Sequence, residues 1–236
     1  MINLAQRIAR RALRAFPLRP AASNPPIATE KFLLPQITLN ELLGDEPTAN
    51  VCIQWKQIHR PRDMVLPLAE LLSISAMCRV LKPSNIFEIG TFTGETAWSM
   101  ASNLPTTSRL YTLDLPPEEI PSHFQPYEAG AFFKGTPESS RIKQLFGWST
   151  NFDFAPYCRS IDLVFIDGDH SYAGVTSDTR NALQIVRKGG IVVWDDYRYE
   201  PYHQDCSGVA ECLHSLMHEL PLFQLSGTRL ALMKGI

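Results

Sequence analysis

Five short strand-like segments, each followed directly by a glycine or an aspartate, constrain the fold of this chain more than any other feature. They lie at 86–89, 110–113, 142–146, 163–166 and 191–194. The segment at 163–166 is continuously apolar, which is typical of a strand that a parallel sheet buries on both faces. Helical patterns alternate with them, at 67–81, 95–103, 172–187 and 209–220. Strands that alternate with helices predict a doubly wound, mostly parallel α/β sheet.

Turn residues mark two further boundaries near the end of the chain. Apolar runs at 222–225 and 230–233 flank Ser226-Gly227-Thr228, which is a hairpin signal, so we expect an antiparallel edge there. The pair Gly189 and Gly190 follows the helical pattern at 172–187 and predicts the end of that helix.

The first 60 residues differ in character from the rest. Prolines punctuate residues 18–50, which predicts a linker with one short helix near 39–43, capped by Thr38 or Asn40. At 236 residues the chain is long enough for one domain with an appendage. We therefore predict an N-terminal extension at 1–60 and one domain at 61–236.

The N-terminus carries a basic amphipathic pattern. Five arginines within residues 1–20 precede the first acidic residue, and most lie opposite an apolar helix face. Three interpretations stay open: a transit peptide, a membrane-surface helix, or a helix that docks on its own domain or on a second subunit of a homo-oligomer. The lack of serine before Ser23 favours docking over a transit peptide.

Charge and cysteine usage narrow the class of protein. Lys plus Arg total 22 and Asp plus Glu total 24, so the net charge is −2 and argues against a dedicated nucleic-acid binder. The five cysteines are scattered, odd in number and form no CxxC pair, which indicates reduced thiols in a cytoplasmic protein. No apolar run approaches the roughly 18–20 residues of a membrane span.

A glycine loop follows the first predicted strand. Gly90 lets a ligand approach the backbone, and Gly94 permits the tight turn into the next helix. Asp114 ends the second strand, where a carboxylate can bind two ribose hydroxyls. Glu88 lies inside the first strand, where its charge is costly unless something, such as a cationic ligand, pairs with it. The stretch therefore predicts a cofactor site at the carboxyl edge of the sheet.

The fourth strand ends in an acidic cluster, since Asp167, Asp169 and His170 fall within four residues. Ligands of open parallel sheets bind at the carboxyl ends of the strands, so we expect this cluster to border the cofactor. Two irregular insertions at the same edge, 116–140 and 197–206, are candidate walls of a substrate pocket.

Taken in order, these stretches resemble the class I S-adenosylmethionine-dependent methyltransferases. The matching segments are 88–94, 111–114, 162–170, 189–196 and the hairpin, all within residues 67–233. The resemblance implies a Rossmann-like, seven-stranded sheet in the order 3-2-1-4-5-7-6, with S-adenosylmethionine as the cofactor. The glycine loop would line the methionine part, Asp114 the ribose, and the segment at 147–149 the adenine. The cofactor-binding residues implied in this way are Glu88, Gly90, Thr91, Gly94, Asp114, Trp148, Ser149 and Asp167.

Within that family the chain resembles the metal-dependent O-methyltransferases of the catechol and macrolide-sugar type. In the implied order, strands four and five lie beside strand one, and adjacent strands are ~4.8 Å apart. Asp167, Asp195 and Asp196, which end strands four and five, are thereby implied to hold Mg²⁺ or a similar hard divalent cation. His170, three residues after Asp167, takes the position of the general base in those enzymes.

Other interpretations of these residues stay open. Asp167 is also placed to hydrogen-bond the cofactor or to cap the following helix, and Asp169 competes with Ser171 as that cap. On a regular strand, Asp195 and Asp196 would point to opposite faces, so both reach one ion only if the chain has left the strand. His170 also has a purely structural interpretation.

We therefore expect an enzyme that transfers methyl from S-adenosylmethionine to a hydroxyl of a small molecule such as a sugar, polyketide or phenol. A metal-independent methyltransferase on the same fold is one alternative. A non-catalytic cofactor-binding or membrane-associated partner protein, which uses the basic N-terminal helix, is another.

Overall fold

The computed structural model describes residues 33–44, 49–57, 66–120, 128–197 and 207–235. The predicted basic helix at the N-terminus lies outside these residues. Within them, eight strands form one sheet in the order β1-β7-β8-β6-β5-β2-β3-β4. The strands are β1 Gln36–Ile37, β2 Asn85–Ile89, β3 Arg109–Asp114, β4 Ile142–Phe146, β5 Ile161–Ile166, β6 Val186–Trp194, β7 Leu222–Leu225 and β8 Ala231–Lys234.

The predicted strand order is confirmed for the seven strands that it covers, from β4 at one edge to β7. Strand β8 pairs antiparallel with β6 and with β7, as the hairpin signal indicates. The eighth strand, β1, was not predicted and adds a parallel edge beside β7, with Gln36 opposite Gln224. Its two residues are too few for a periodic pattern, so only the tertiary structure reveals it.

Helices cover both faces of the sheet. They are α1 Leu39–Leu43, α2 Leu68–Leu81, α3 Glu95–Ser102, α4 Tyr172–Ile185 and α5 Ser207–Leu216. Successive strand residues face opposite layers, so Ile86 of β2 packs towards α2 and α3, whereas Phe87 packs towards α4 and α5. The described residues contain no helix that is both long enough and apolar enough to cross a membrane.

The predicted stop of the fourth helix at Gly189 and Gly190 is wrong. Helix α4 already ends at Ile185, and β6 begins at Val186. A Cβ on Gly190 would lie 2.6 Å from Cγ2 of Val186 and 2.9 Å from the carbonyl oxygen of Asp162. Gly190 therefore serves the close approach of β6 to β5, where the strand register shifts, rather than a helix end.

Part of the predicted extension packs into this fold. Thr38 caps α1 through a capping box with Glu41, which confirms the predicted short helix. Leu34 and Leu42 are buried, and Asn103 accepts a hydrogen bond from the backbone of Cys52 at 2.8 Å. Leu34 and Leu42 thus belong to the buried core, and the domain boundary at residue 60 stays a prediction.

Candidate active site

Gly90 lies where the ends of β2 and β5 come closest. Its φ is +99°, a conformation that L side chains rarely adopt, and its amide donates to the carbonyl of Leu113 at 2.9 Å. A Cβ at this position would lie 1.9 Å from the carbonyl oxygen of Asp167. The absence of a side chain at Gly90 therefore allows the loop after β2 to lie against the first residue after β5.

Glu88 is buried beneath this loop. Its Oε2 accepts a hydrogen bond from the hydroxyl of Thr112, whose Oγ1 lies 2.6 Å from that of Thr91. Among the described residues, Oε1 of Glu88 has no hydrogen-bond partner. Burial raises the pKa of Glu88 well above its ordinary value, and the nearby charges of Asp167 and Asp114 add to this effect. A cationic group on a ligand would offset the free-energy cost of burying this carboxylate.

Asp114 already receives two backbone amides at the end of β3. Its Oδ2 accepts from the amide of Phe92 at 2.6 Å, and its Oδ1 accepts from the amide of Leu115 at 2.7 Å. Burial nonetheless raises the pKa of Asp114 above its ordinary value. Each carboxylate oxygen keeps a second lone pair, so the predicted contact with ribose hydroxyls is still available.

In the structure, Asp196, which follows β6, joins Asp167 and His170 of the acidic cluster, which follow β5. Nε2 of His170 lies 3.4 Å from Oδ1 of Asp167 and 3.4 Å from Oδ2 of Asp196. These three side chains offer ligand atoms within 4.8 Å of one another, so they could hold a metal ion. The side chains of His170 and Asp167 are 31% and 28% exposed, which leaves the cluster accessible from one side.

Asp195 and Asp196 separate although they are consecutive. Strand β6 ends at Trp194, and Asp196 has a left-handed φ of +57°, so the chain has left the strand at this point. The turn brings Asp196 to His170. Asp195 does not join the group formed by Asp167, His170 and Asp196, and its Oδ2 instead lies 3.4 Å from a guanidinium nitrogen of Arg229.

Arg229, which no residue pattern in the sequence indicated, supplies a cation to this region. Its guanidinium forms an ion pair with Asp196 at 2.9 Å, and its Nε lies 3.6 Å from Oε1 of Glu70. The available signal was weak: Arg229 is the single lysine or arginine between residues 219 and 233, and Glu70 interrupts an apolar helix. The sequence alone does not show that the side chains of Glu70 and Arg229 are in contact.

The carboxylates of this region outnumber its cations. Burial raises the pKa of Asp195 well above its ordinary value, the charges of Asp167 and Asp196 raise it further, and Arg229 opposes them. The pKa of Asp167 is raised by burial too, against the effect of its hydrogen bond with His170. A further positive charge would therefore bind favourably here.

Comparisons with known proteins agree with this geometry. Residues 87–197, which run from β2 to the residue after Asp196, match the model of a methyltransferase domain family. Residues 87–197 thus form a methyltransferase domain. A segment of 38 residues is also 50% identical to the uncharacterized protein R132 of Acanthamoeba polyphaga mimivirus; it spans 16% of this chain and 17% of that protein.

Solved structures share the fold of the methyltransferase domain at low sequence identity. The O-methyltransferase TomG from Streptomyces achromogenes, in complex with SAM, is 20% identical with a TM-score of 0.57, over 74% of this chain and 83% of TomG. Cofactor-bound Rv0187 from MTB is 20% identical with a TM-score of 0.57, over 75% and 83%. The O-methyltransferase from Bacillus cereus, in complex with SAH, is 17% identical with a TM-score of 0.56, over 74% and 84%.

A cleft of the methyltransferase domain runs along the glycine loop and reaches the acidic cluster. Its lining residues are Leu66, Gly90, Thr91, Phe92, Thr93, Glu95, Thr96 and Asp167. The described part of the first insertion packs on this loop, because the amides of Gly130 and Phe132 donate to the carbonyls of Phe92 and Thr93. That insertion therefore supports the loop that forms the cleft.

Trp148 and Ser149 lie at the same edge of the methyltransferase domain, beyond β4. The amide of the preceding Gly147 donates to the carbonyl of Asp114 at 2.9 Å, which ties this segment to the end of β3. The side chain of Trp148 is 46% exposed and donates from Nε1 to Glu119. The structure thus places the predicted adenine contacts beside the predicted ribose contact.

Three further residues of the methyltransferase domain have structural contacts. Ser171 is the N-cap of α4, since its Oγ accepts from the amide of Gly174 at 3.1 Å. Asp169 accepts from both the amide and the hydroxyl of Ser171 and so supports the cap. Tyr197 is buried, and its hydroxyl accepts from the amide of Leu34 at 3.0 Å, so it anchors the N-terminal segment and is not a pocket wall.

Proposed function

We propose that this protein transfers the methyl group of S-adenosylmethionine to a hydroxyl of a small molecule, beside a divalent cation. The observation that carries the proposal is the convergence of Asp167, His170 and Asp196 next to the cleft at Gly90. An imidazole flanked by two carboxylates is suited to accept a proton, and the surplus of negative charge is suited to bind cations.

The residues of the glycine loop suit a cationic cofactor. S-adenosylmethionine carries an ammonium and a sulfonium, and Glu88 offers a buried carboxylate oxygen that no described protein group satisfies. Gly90 and Thr91 would lie along the methionine part, near Gly94, and Asp114 would hold the ribose. Trp148 and Ser149 would border the adenine, since an exposed indole can stack on a base.

The donor set of the acidic cluster fits a hard divalent cation. Carboxylate oxygens suit Mg²⁺ or Mn²⁺. Asp167 and Asp196 would hold the ion. Asp195, the third carboxylate that the sequence predicts at this site, faces Arg229 instead. Such an ion, when bound, lowers the pKa of a coordinated hydroxyl and fixes its position.

His170 is the proposed general base. Its Nε2 would take the proton of the acceptor hydroxyl, and Asp167 and Asp196, each 3.4 Å from this nitrogen, would stabilise the imidazolium that forms. The acceptor oxygen would form its bond to the methyl carbon as the bond from that carbon to sulfur breaks. The electron pair of the broken bond would stay on sulfur, so that S-adenosylhomocysteine would be the leaving group. Catalysis by the protein would come mainly from positioning.

A metal-independent methyltransferase is the second candidate, and Arg229 favours it. The guanidinium already pairs with Asp195 and Asp196 and offsets part of their charge. In that case His170 would act on the acceptor without a metal, and Asp167 would contact the cofactor.

Metal removal separates the two candidates. With EDTA-treated protein, we expect methyl transfer to fall to background and to return with Mg²⁺ or Mn²⁺. Asp196→Asn should reduce turnover at least 100-fold, whereas Asp169→Asn, at the helix cap, should change it less than threefold. Activity that survives both EDTA and Asp196→Asn would rule out the metal. Calorimetry with S-adenosylmethionine tests the shared cofactor proposal, since no binding at millimolar concentration would refute both candidates.

The basic N-terminus gives a third, non-catalytic candidate, a protein that binds a membrane or a second subunit through residues 1–20. Flotation with liposomes of anionic lipid would compare the full chain with a chain that begins at Pro20. Equal flotation would leave those residues with a packing role.

A further inference from the structure

Arg229 lies at the centre of a buried charge network that joins three elements. Its guanidinium contacts Asp195 at 3.4 Å and Asp196 at 2.9 Å after β6, and Glu70 of α2 at 3.6 Å. The side chain of Arg229 is 18% exposed. This largely buried guanidinium is therefore surrounded by three carboxylates, with Glu70 from α2 and the aspartate pair from the end of β6.

The backbone of Arg229 is held as firmly as its side chain. Its amide donates to Oε1 of Glu70 at 2.9 Å, and its carbonyl accepts from the amide of Tyr197 at 2.9 Å. Glu70 is 3% exposed, so its carboxylate would be costly in α2 without the guanidinium beside it. Glu70 therefore anchors the arginine, and the arginine in turn reaches the acidic cluster.

Asp196 connects this network to the histidine. Its Oδ1 faces Nη1 of Arg229, while its Oδ2 lies 3.4 Å from Nε2 of His170. The left-handed φ of +57° is unfavourable for a residue with a side chain, so the turn needs support from elsewhere. The ion pair with Arg229 supplies that support and orients the second oxygen towards His170.

We propose that Arg229, anchored by Glu70, is a positioning residue that divides the aspartate pair. Of the two aspartates, Asp195 serves as a structural partner of Arg229. Only Asp196 contributes to the reaction, together with Asp167 and His170. The inference rests on the proposed function for the chemistry that Asp196 supports, but the placement of Asp196 is testable without activity.

The experiment compares Arg229→Ala, Arg229→Lys and the control Arg141→Ala, whose guanidinium binds the carbonyls of Leu104 and Pro105. In a crystal structure of Arg229→Ala, we expect the Asp196 carboxylate to move more than 1 Å away from His170. Calorimetry should show at least a tenfold loss of Mn²⁺ affinity. Affinity for S-adenosylhomocysteine should change less than threefold. Arg229→Lys should recover part of the Mn²⁺ affinity, because a lysine replaces the charge but not the planar fork.

Several outcomes would overturn the proposal. An unmoved Asp196 carboxylate in Arg229→Ala would do so, as would tighter Mn²⁺ binding, which is expected if Arg229 acts only by repulsion. If Arg229→Ala fails to fold, Arg229→Lys and Glu70→Gln provide the same measurements. Equal losses of turnover in Asp195→Asn and Asp196→Asn would refute the division of the pair. Wild-type protein that binds no Mn²⁺ would refute the metal instead, and the crystal structure would still decide the role of Arg229.

Discussion

The carbonyl oxygen of Asp167 lies 1.9 Å from the position that a Cβ on Gly90 would occupy. The contact joins the glycine loop after β2 to the first residue of the acidic cluster after β5. Because the opposing atom belongs to the backbone, no side-chain rearrangement can make room for a methyl group there. The two strand ends must separate if Gly90 is replaced.

We therefore expect Gly90→Ala to lose about 2–4 kcal/mol of stability, from overpacking and from a strained φ. Affinity for S-adenosylhomocysteine should fall at least tenfold, as measured by calorimetry. Gly135→Ala is the matched control, since Gly135 has a φ of +75° but no atom within 4 Å of its added Cβ. Similar losses in the two variants would show that backbone strain, not the contact with Asp167, is responsible.

Replacing His170 should separate chemistry from binding. His170→Ala removes the proposed base, so we expect turnover to fall by roughly 10²–10⁴-fold. Affinity for S-adenosylhomocysteine should stay within threefold, because His170 is assigned to the acceptor side. His218→Ala, at an exposed histidine on the C-terminal side of α5, should leave both quantities unchanged. If cofactor affinity falls in step with turnover, the assigned role is wrong.

Asp178 predicts a pH dependence of stability. It is fully buried in α4, and burial raises the pKa of its carboxyl to about 6. The folded state therefore binds this proton more tightly than the unfolded state does. Stability from this group is fully present below about pH 4 and is lost as the pH rises from there through 6, by about 3 kcal/mol at most.

Asp178→Asn should remove that dependence. Relative to wild type, the variant should gain stability between pH 4 and pH 8, as measured by denaturant unfolding at both values. Using the difference between the two pH values cancels the fixed cost of the substitution. Asp153→Asn, at an exposed carboxyl, should show no such gain. A constant difference at both pH values would mean that Asp178 titrates normally in the fold.

The packing of the N-terminal segment is testable with two adjacent leucines. Leu34 is 2% exposed and Leu33 is 38% exposed, so they differ in burial but not in chemistry. We expect Leu34→Ala to cost about 2–5 kcal/mol in thermal or denaturant unfolding, and Leu33→Ala less than about 0.5 kcal/mol. Equal, small effects would support the predicted domain boundary at residue 60.

Local patterns predicted most of the fold and part of the site. Thr38 and Glu41, three residues apart, form the capping box that starts α1. Gly90 and Asp114 lie where the loop pattern and the strand ends predict. The end of α4 was mispredicted because Gly189 and Gly190 resemble a helix stop. In the structure, Gly190 instead allows close contact with the neighbouring strand. A local signal cannot distinguish these two uses of glycine.

The sequence by itself determined the alternation of strands and helices and the acidic residues at the strand ends, because hydrophobic periodicity and turn chemistry act over a few residues. Only the tertiary structure decided which of those carboxylates meet. Asp195 and Asp196 are neighbours in the chain, yet one faces Arg229 and the other also reaches His170. Glu70 and Arg229 are 159 residues apart and meet only after the sheet brings α2 and the hairpin together. The cost of burying unpaired charge selects such partners across the fold, and no local spacing encodes them.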